Sequence, residues 1–509
     1  MGVSCISFGS ILVLVWNSQK SFLINNYELE IVTFTIFQAF CSAFVSVFLA
    51  IPVSKAIYRN NFPGKAILVT LMNIIFVLPV LIIILTVIKV FGFNGIPNQI
   101  LDLVGIEKIS IYGLQGILVG HVLINLPFAV RLMLSGWLMI PQEHFRLARQ
   151  LNFRKAEYFR YLELPMLRKI IPGIFTIIFL FCCLTFSIAL ILGGGPGATT
   201  IELAIYQSII FEGNVGIAAR LSIYQLILMG LILLISFKIS GKPVFENAII
   251  LKAKTFMPKN KLDYKLDIIW ISLFSLFISL PIIIIFYKGI ANILSVEIFL
   301  FYGLFNSLFV ALLAAVVNLS ISVVLCFTII KEESFKKLII EIGSFSLICI
   351  SPLVLGTAIF LVLFEHIDIA DNALVLTGLA NGILMIPISL TILLPGFIKI
   401  TDRYGHIMRS LGLSNIKQIL EIYFPLLSSN IRFSFALVFV LSIGDLGIIV
   451  LFSGSESSTL PMYLYRLMGS YRMDEAYTVG LVLVTLALSS FWFIEKGFYY
   501  GTLRKKLFN

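Results

Sequence analysis

Residues 146–165 read RLARQLNFRKAEYFRYLELP, and residues 411–425 read LGLSNIKQILEIYFP. Both are polar islands in a chain that is otherwise close to continuous hydrocarbon. Shifted by 260 residues without a gap, Leu151-Asn152-Phe153 falls on Leu411-Gly412-Leu413, and Leu164-Pro165 falls on Phe424-Pro425. Phe145, Ala148 and Leu151 recur at helical spacing with Arg146, Arg149 and Gln150 around them, so 142–150 is predicted to form a short helix. Asn152 and Gly412 occupy the same place in the two copies, and after glycine asparagine tolerates positive φ best. The expected element is a helix, a sharp turn and a second helix. Ser414 or Asn415 is positioned to cap the second helix of copy two, and Pro165 and Pro425 to bend the chain towards the following span.

The rest of the chain fixes the solvent. Of 509 residues, 59% are hydrophobic and 12% charged, and the mean hydropathy is +1.04. Soluble domains carry about a quarter charged residues, so lipid must cover much of this surface. A formal charge of +11 fits basic cytoplasmic loops better than a nucleic-acid partner. Cys5, Cys41, Cys182, Cys183, Cys326 and Cys349 lie inside apolar runs without metal-site spacing and read as small buried hydrophobes.

Twelve apolar runs are candidate spans: 2–16, 31–53, 66–91, 111–137, 170–192, 216–237, 268–287, 298–330, 338–364, 373–397, 431–452 and 476–495. The first is short and lacks the charged start of a signal peptide, so it reads as a retained anchor helix. Alternate loops sort by charge. One set holds Lys55, Arg59 and Lys65, then Arg146 through Lys169, Lys238 through Lys265, Lys331, Lys336 and Lys337, then Arg403, Arg409 and Lys417, and the tail Arg504, Lys505 and Lys506. The other set is rich in acids, among them Glu28, Glu30, Glu202, Glu212, Glu365, Asp368, Asp371, Asp474 and Glu475. The positive-inside rule then places both termini and both polar islands in the cytoplasm.

The longest other polar connection, GKPVFENAIILKAKTFMPKNKLDYK at 241–265, divides the spans six and six. The expected organisation is a first half at 1–238, a cytoplasmic linker at 239–266 and a second half at 267–509, with the polar loops at 141–169 and 399–430. A second repeat supports duplication: TTIELAIYQ at 199–207 matches STLPMYLYR at 458–466, with Thr200 over Thr459 and Tyr206 over Tyr465. Parallel repeats are common in transporters, because a pathway can form between similar bundles. The fold class is therefore an all-α membrane protein of about twelve helices in two tandem six-helix halves. On physical grounds alone, a paired knob for a two-fold partner competes with a helix lying on the lipid surface.

The layout of the islands resembles the EAA loop of binding-protein-dependent ABC transporter permeases, a pattern of E-A-A-x-x-x-G followed by a later L-P. Copy one has Arg146, Leu147, Ala148 and Asn152 at the E, A, A and G positions, and copy two has His406, Ile407, Met408 and Gly412. Only Ala148, Gly412, Leu164, Pro165 and Pro425 match literally. Blocks in both halves are similar to thiamine ABC transporter permeases: SIYGLQGILVGHVLINLP at 110–127, LGGGPGATTIELAIYQ at 192–207, LSIGDLGIIVLF at 441–452, TLPMYLYRLMGSYR at 459–472 and IEK at 494–496. Iron(III) permeases share the fused plan and are the nearest alternative. The resemblance implies a type I importer-like permease in the bacterial inner membrane, with a periplasmic thiamine-binding protein and a cytoplasmic ABC ATPase dimer as partners. It further implies that the two loops couple to the ATPase through Arg146, Ala148, Asn152, Leu164, Pro165, His406, Gly412 and Pro425.

No catalytic or metal-ligating set emerges and no cofactor is expected. There is no G-x-x-x-x-G-K-[ST], so ATP hydrolysis is assigned to a separate subunit. Gly193 to Gly197 reads as a tight periplasmic turn, because a phosphate cradle needs a strand before it and a helix with Lys after it. His121, Asn125 and Asp445 fall within spans, where polar residues face the bundle interior or a water path. With Glu202 they are candidates for a path that admits the thiamine cation, against a structural role in helix contacts. A secondary carrier would need more deep carboxylates or histidines, and an intramembrane enzyme would need a nucleophile with its base, or H-E-x-x-H.

Overall fold

The computed structural model describes residues 25–240, 261–293, 299–332, 334–454 and 458–496. Among the described residues there is no strand, and the protein is an all-α membrane protein. Eight helices are long and apolar enough to span a bilayer, rising to eleven when three bent pairs each count as one span. The eleven predicted spans from 31–53 onward each overlap one of these segments. The predicted span 2–16, Cys5, the tail basic residues and most of the linker lie outside the described residues.

Several runs read as single spans are broken. Pro79 separates Lys65–Val77 from Val80–Phe91. Pro352 opens Pro352–Leu363, which leaves Lys336–Cys349 at 100°. The residue before each proline is extended, with ψ of 136° at Leu78 and 161° at Ser351, as the proline ring demands. Another is 431–452, where Ser428–Ile443 ends and Ile449–Phe452 follows. Asp445 therefore stands in a break and not within a span helix. The first half has the same interruption between Leu164–Cys183 and Phe186–Leu192.

The described residues form two compact units. One holds 25–203 and 227–287, the other 204–226 and 288–496. Each is built on one long helix, Asn26–Arg59 or Phe299–Lys331. The buried face of Asn26–Arg59 is small, with Ala39, Ser42, Ala43, Ser46 and Ala50, while Phe40, Phe44 and Phe48 stack along the exposed face. Phe299–Lys331 repeats this division: Ala311, Ala314, Ala315 and Asn318 are buried, and Phe301, Phe305 and Phe309 are exposed. Lipid offers apolar side chains as good a solvent as another helix does. Close approach of small faces, rather than burial of large ones, therefore holds such bundles together.

A hydroxyl on each long helix fixes a shorter one. Thr35 Oγ1 accepts the backbone N–H of Ile201 at 3.0 Å, and Ser307 Oγ accepts that of Leu460 at 2.8 Å. Ile201 and Leu460 begin the helices Ile201–Ile210 and Leu460–Gly469, whose first N–H groups have no partner within the helix. These are the helices of the second sequence repeat, so the duplication extends to the groups that anchor it.

Candidate functional site

Each polar island folds as an elbow. Gln142–Gln150 is a helix that ends at Asn152, with φ of 52°, and Ile386–Ser410 ends at Gly412, with φ of 61°. The closing hydrogen bonds are the same in both. The N–H of Asn152 donates to Arg149 O at 3.1 Å and that of Phe153 to Ala148 O at 3.0 Å. The N–H of Gly412 donates to Arg409 O at 3.1 Å and that of Leu413 to Met408 O at 3.3 Å. This paired closure is the Schellman motif, which satisfies otherwise orphaned carbonyls and requires a left-handed residue at the turn. Asn152→Val should strain that residue and cost about 1–2 kcal/mol, whereas Asn152→Gly should be neutral or stabilising. Thermal unfolding of the two variants in one detergent measures the difference.

Burial follows the same register. Positions 145, 148, 158, 163 and 167 are buried in the first copy, as are 405, 408, 418, 423 and 427 in the second. Arg146, Asn152, His406 and Gly412 are exposed, as are Pro165 and Pro425, while Ala148 is buried and Leu164 half-buried. Leu151, expected on the apolar stripe with Phe145 and Ala148, is exposed, because the chain has already reached the end of its helix there. Ser414 stands at the N-cap position, but its side chain makes no capping bond. Gln418 Nε2 instead donates to Leu413 O at 2.7 Å.

In both copies a π-helical turn precedes the proline, at Phe159–Glu163 and at Gln418–Tyr423. A wide turn accommodates a residue that lacks an N–H and crowds the preceding carbonyls. The bend expected at both prolines forms only in copy two, with 84° between Asn415–Leu426 and Ser428–Ile443. In copy one Lys155–Cys183 continues as a single span.

The candidate path residues fall in different places. His121 and Asn125 lie one turn apart on Leu114–Leu138, both buried. His121 Nδ1 is 3.0 Å from Ser42 Oγ, and Asn125 Nδ2 donates to Cys182 Sγ at 3.2 Å. Gln38 Nε2 donates to Cys182 O at 3.1 Å. His121 Nε2, Gln38 Oε1 and Ser46 Oγ are buried without a hydrogen-bond partner. Glu202, fully buried, opens the helix Ile201–Ile210. Asp445 belongs to the other unit, where its carboxylate accepts the N–H groups of Gly447 at 3.3 Å and Ile448 at 3.5 Å. At the positions matching His121 and Cys182, Asn381 Nδ2 donates to Ser442 Oγ at 3.1 Å. The Gly193–Gly197 stretch turns at Gly194 and Gly195, with φ of 70° and 138°.

Comparison with known proteins now identifies the architecture. The profile of the binding-protein-dependent transport system inner membrane component matches residues 42–242. The thiamine transport system permease protein ThiP of Escherichia coli (strain K12) is 33% identical over 508 residues, covering 97% of this chain and 94% of the relative. The chain belongs to the family of thiamine transport system permeases. ThiP of Brucella abortus (strain 2308) is 32% identical, covering 91% of this chain and 87% of the relative. ThiP of Haemophilus influenzae is 30% identical, with 91% and 88% covered. Membership in this permease family agrees with the multi-pass helical fold.

Sequence reasoning missed several residues that hold the permease's first elbow. Lys55 Nζ lies 2.5 Å from Glu163 Oε2, Arg59 binds Asp267, and Lys155 Nζ lies 2.7 Å from Asp263 Oδ2. The basic members were read only as markers of a cytoplasmic loop. Their acidic partners are more than 100 residues away in three cases out of three, so no local pattern connects them.

Proposed function

We propose that the chain is the transmembrane subunit of an ATP-driven importer that takes thiamine from a periplasmic binding protein and passes it through the inner membrane. Both halves of the pathway reside in this one chain, and a cytoplasmic ATPase dimer supplies the energy. The two elbows are its coupling helices, presenting Arg146 and Asn152 in one copy and His406 and Gly412 in the other. Ala148 turns inward and holds its helix to the bundle. Leu164, Pro165 and Pro425 form the joint to the membrane helices. The observation that carries this reading is the identical closure and burial register of the two elbows, since a two-fold motor needs two equivalent handles.

Closure of the ATPase dimer would displace both elbows and switch the bundle between outward- and inward-facing forms. Within the bundle, His121 with Asn125 offers neutral polar groups to a passing solute. Glu202 in the same unit, and Asp445 by itself in the other, carry carboxyl groups to which a permanent cation is attracted. The bonds that Asp445 accepts from its own loop give it a structural task as well. Both termini and both elbows are assigned to the cytoplasm by the distribution of basic residues.

The test is uptake by the reconstituted complex of permease, ATPase and binding protein. Labelled thiamine should enter vesicles only when ATP and the binding protein are both present, and iron(III) should not. Iron(III) uptake without thiamine uptake would transfer the assignment to the alternative substrate. Thiamine uptake that persists without the ATPase would replace primary transport by a secondary carrier.

A further inference from the structure

We infer that the first elbow is joined to the bundle by an ionic collar, centred on Lys55 and Glu163, that transmits its movement, while the second elbow uses an aromatic stack for the same purpose. This rests on the reading of the elbows as coupling helices. Glu163 lies in the π-helical turn between the elbow and Leu164–Cys183, so any displacement of the elbow reaches that helix through it. Its side chain is 6% exposed and sits 2.5 Å from Lys55 Nζ, on the long helix Asn26–Arg59. One turn further along that helix, Arg59 donates to both carboxylate oxygens of Asp267, at 3.2 and 3.3 Å, and Asn60 Nδ2 donates to the same group at 2.8 Å. One turn before Asp267, Asp263 receives Lys155, at the start of the elbow's second helix. Three helices are thereby tied around one joint.

The second copy solves the same problem differently. Tyr423 stands where Glu163 stands, stacked on Phe397 with centroids 4.7 Å apart and planes 12° apart. Phe327, which takes the place of Lys55 on the second long helix, meets Tyr423 edge-on at 5.9 Å. Tyr423 Oη and Thr401 Oγ1 are 2.8 Å apart. Lys331, ending its long helix as Arg59 ends the other, bonds directly to Asn415, the counterpart of Lys155. A half-buried ion pair is strong only in one tight geometry, so it resists sliding, whereas stacked rings tolerate it. The two handles are thus chemically unequal, and Lys55 and Glu163 are positioning residues for the first.

The experiment uses the full complex in proteoliposomes and reads thiamine transported per ATP hydrolysed, a ratio that lost folding alone does not change. An Arg146→Cys variant, cross-linked to the ATPase subunit, reports contact at the elbow independently. Glu163→Gln should lower the transport ratio about fivefold with the cross-link retained, as for a residue that carries coupling without touching either ligand. The paired change Lys55→Phe with Glu163→Tyr, copying the second half, should restore at least about half of the ratio, because stacking replaces the lost ion pair. An unchanged ratio in Glu163→Gln overturns the collar. If Glu163→Gln fails to accumulate, Lys55→Met decides: a ratio lowered to a similar extent with the cross-link retained supports the collar, and an unchanged ratio overturns it. Absence of the Arg146→Cys cross-link in the otherwise unaltered chain overturns the coupling-helix reading itself, and the collar with it.

Discussion

Phe145→Ala is expected to reduce thiamine uptake by more than about tenfold while the chain still reaches the membrane, because a buried aromatic truncated to alanine loses about 3–5 kcal/mol. The reason lies in the length of the element. Gln142–Gln150 has nine residues, and isolated helices below about twelve residues are marginal in water. Its order therefore comes from docking, and only Phe145 and Ala148 on it are buried. Phe145 is 1% exposed and supplies most of the docked volume. Uptake within about twofold of the unaltered chain would be incompatible with a loss of this size. Met408→Ala in copy two should be milder, because that helix is the end of the 25-residue Ile386–Ser410 and does not depend on docking alone.

The matched positions exchange volume. Phe145 and Ala148 in copy one face Gly405 and Met408 in copy two, so the large side chain moves by one turn while the buried register stays fixed. A scan for identical residues misses this, and the physical pattern preserves it. The same holds for Thr35 and Ser307, which share a hydroxyl and its acceptor role but little of their neighbourhood.

What was legible in the sequence was what is written locally. Apolar runs of span length gave the helices, Asn152 and Gly412 gave the turns, and the spacing between the islands gave the duplication. The breaks at Pro79 and Pro352 were visible as prolines but were absorbed into long apolar runs, because hydropathy averages over a window and does not see a lost N–H. Asp445 was placed inside a helix for the same reason: its neighbours Ile448 to Phe452 are as apolar as any span, yet its carboxylate is occupied by the turn. The contacts of His121 with Ser42 and of Asn125 with Cys182 needed three helices in register. No spacing along one segment could supply that. Lys55, Arg59 and Lys155 were visible as charges but not as partners, since basic residues at span ends have a sufficient explanation in topology.

Asp267→Leu is expected to destabilise the folded chain by about 3 kcal/mol, while the double change Arg59→Leu with Asp267→Leu should recover most of that loss. Asp267 is 6% exposed and takes two hydrogen bonds from the Arg59 guanidinium and one from Asn60. The side chains of the ion pair are 11% and 9% exposed, so water cannot readily replace a missing partner. Removing the carboxylate alone takes from the Arg59 guanidinium the charge that it faces and two of its hydrogen bonds, at the end of Asn26–Arg59. Removing both charges replaces a desolvated pair by apolar contact, which is often close to neutral. Asn60 Nδ2 keeps its bond to Ala56 O at 2.8 Å in either variant, so the residual cost of the double change should be small. Thermal unfolding of the single and double variants, with Arg59→Leu alone closing the cycle, measures the coupling directly. Additive losses across the cycle would mean that the pair is formed but contributes nothing. Recovery in the double variant, together with lost uptake per ATP, would separate the stability of this joint from its part in transport: apolar contact restores the fold, but the directional pair that, beside Lys155–Asp263, sets where Lys261–Ala291 meets the first elbow's side of the bundle is gone.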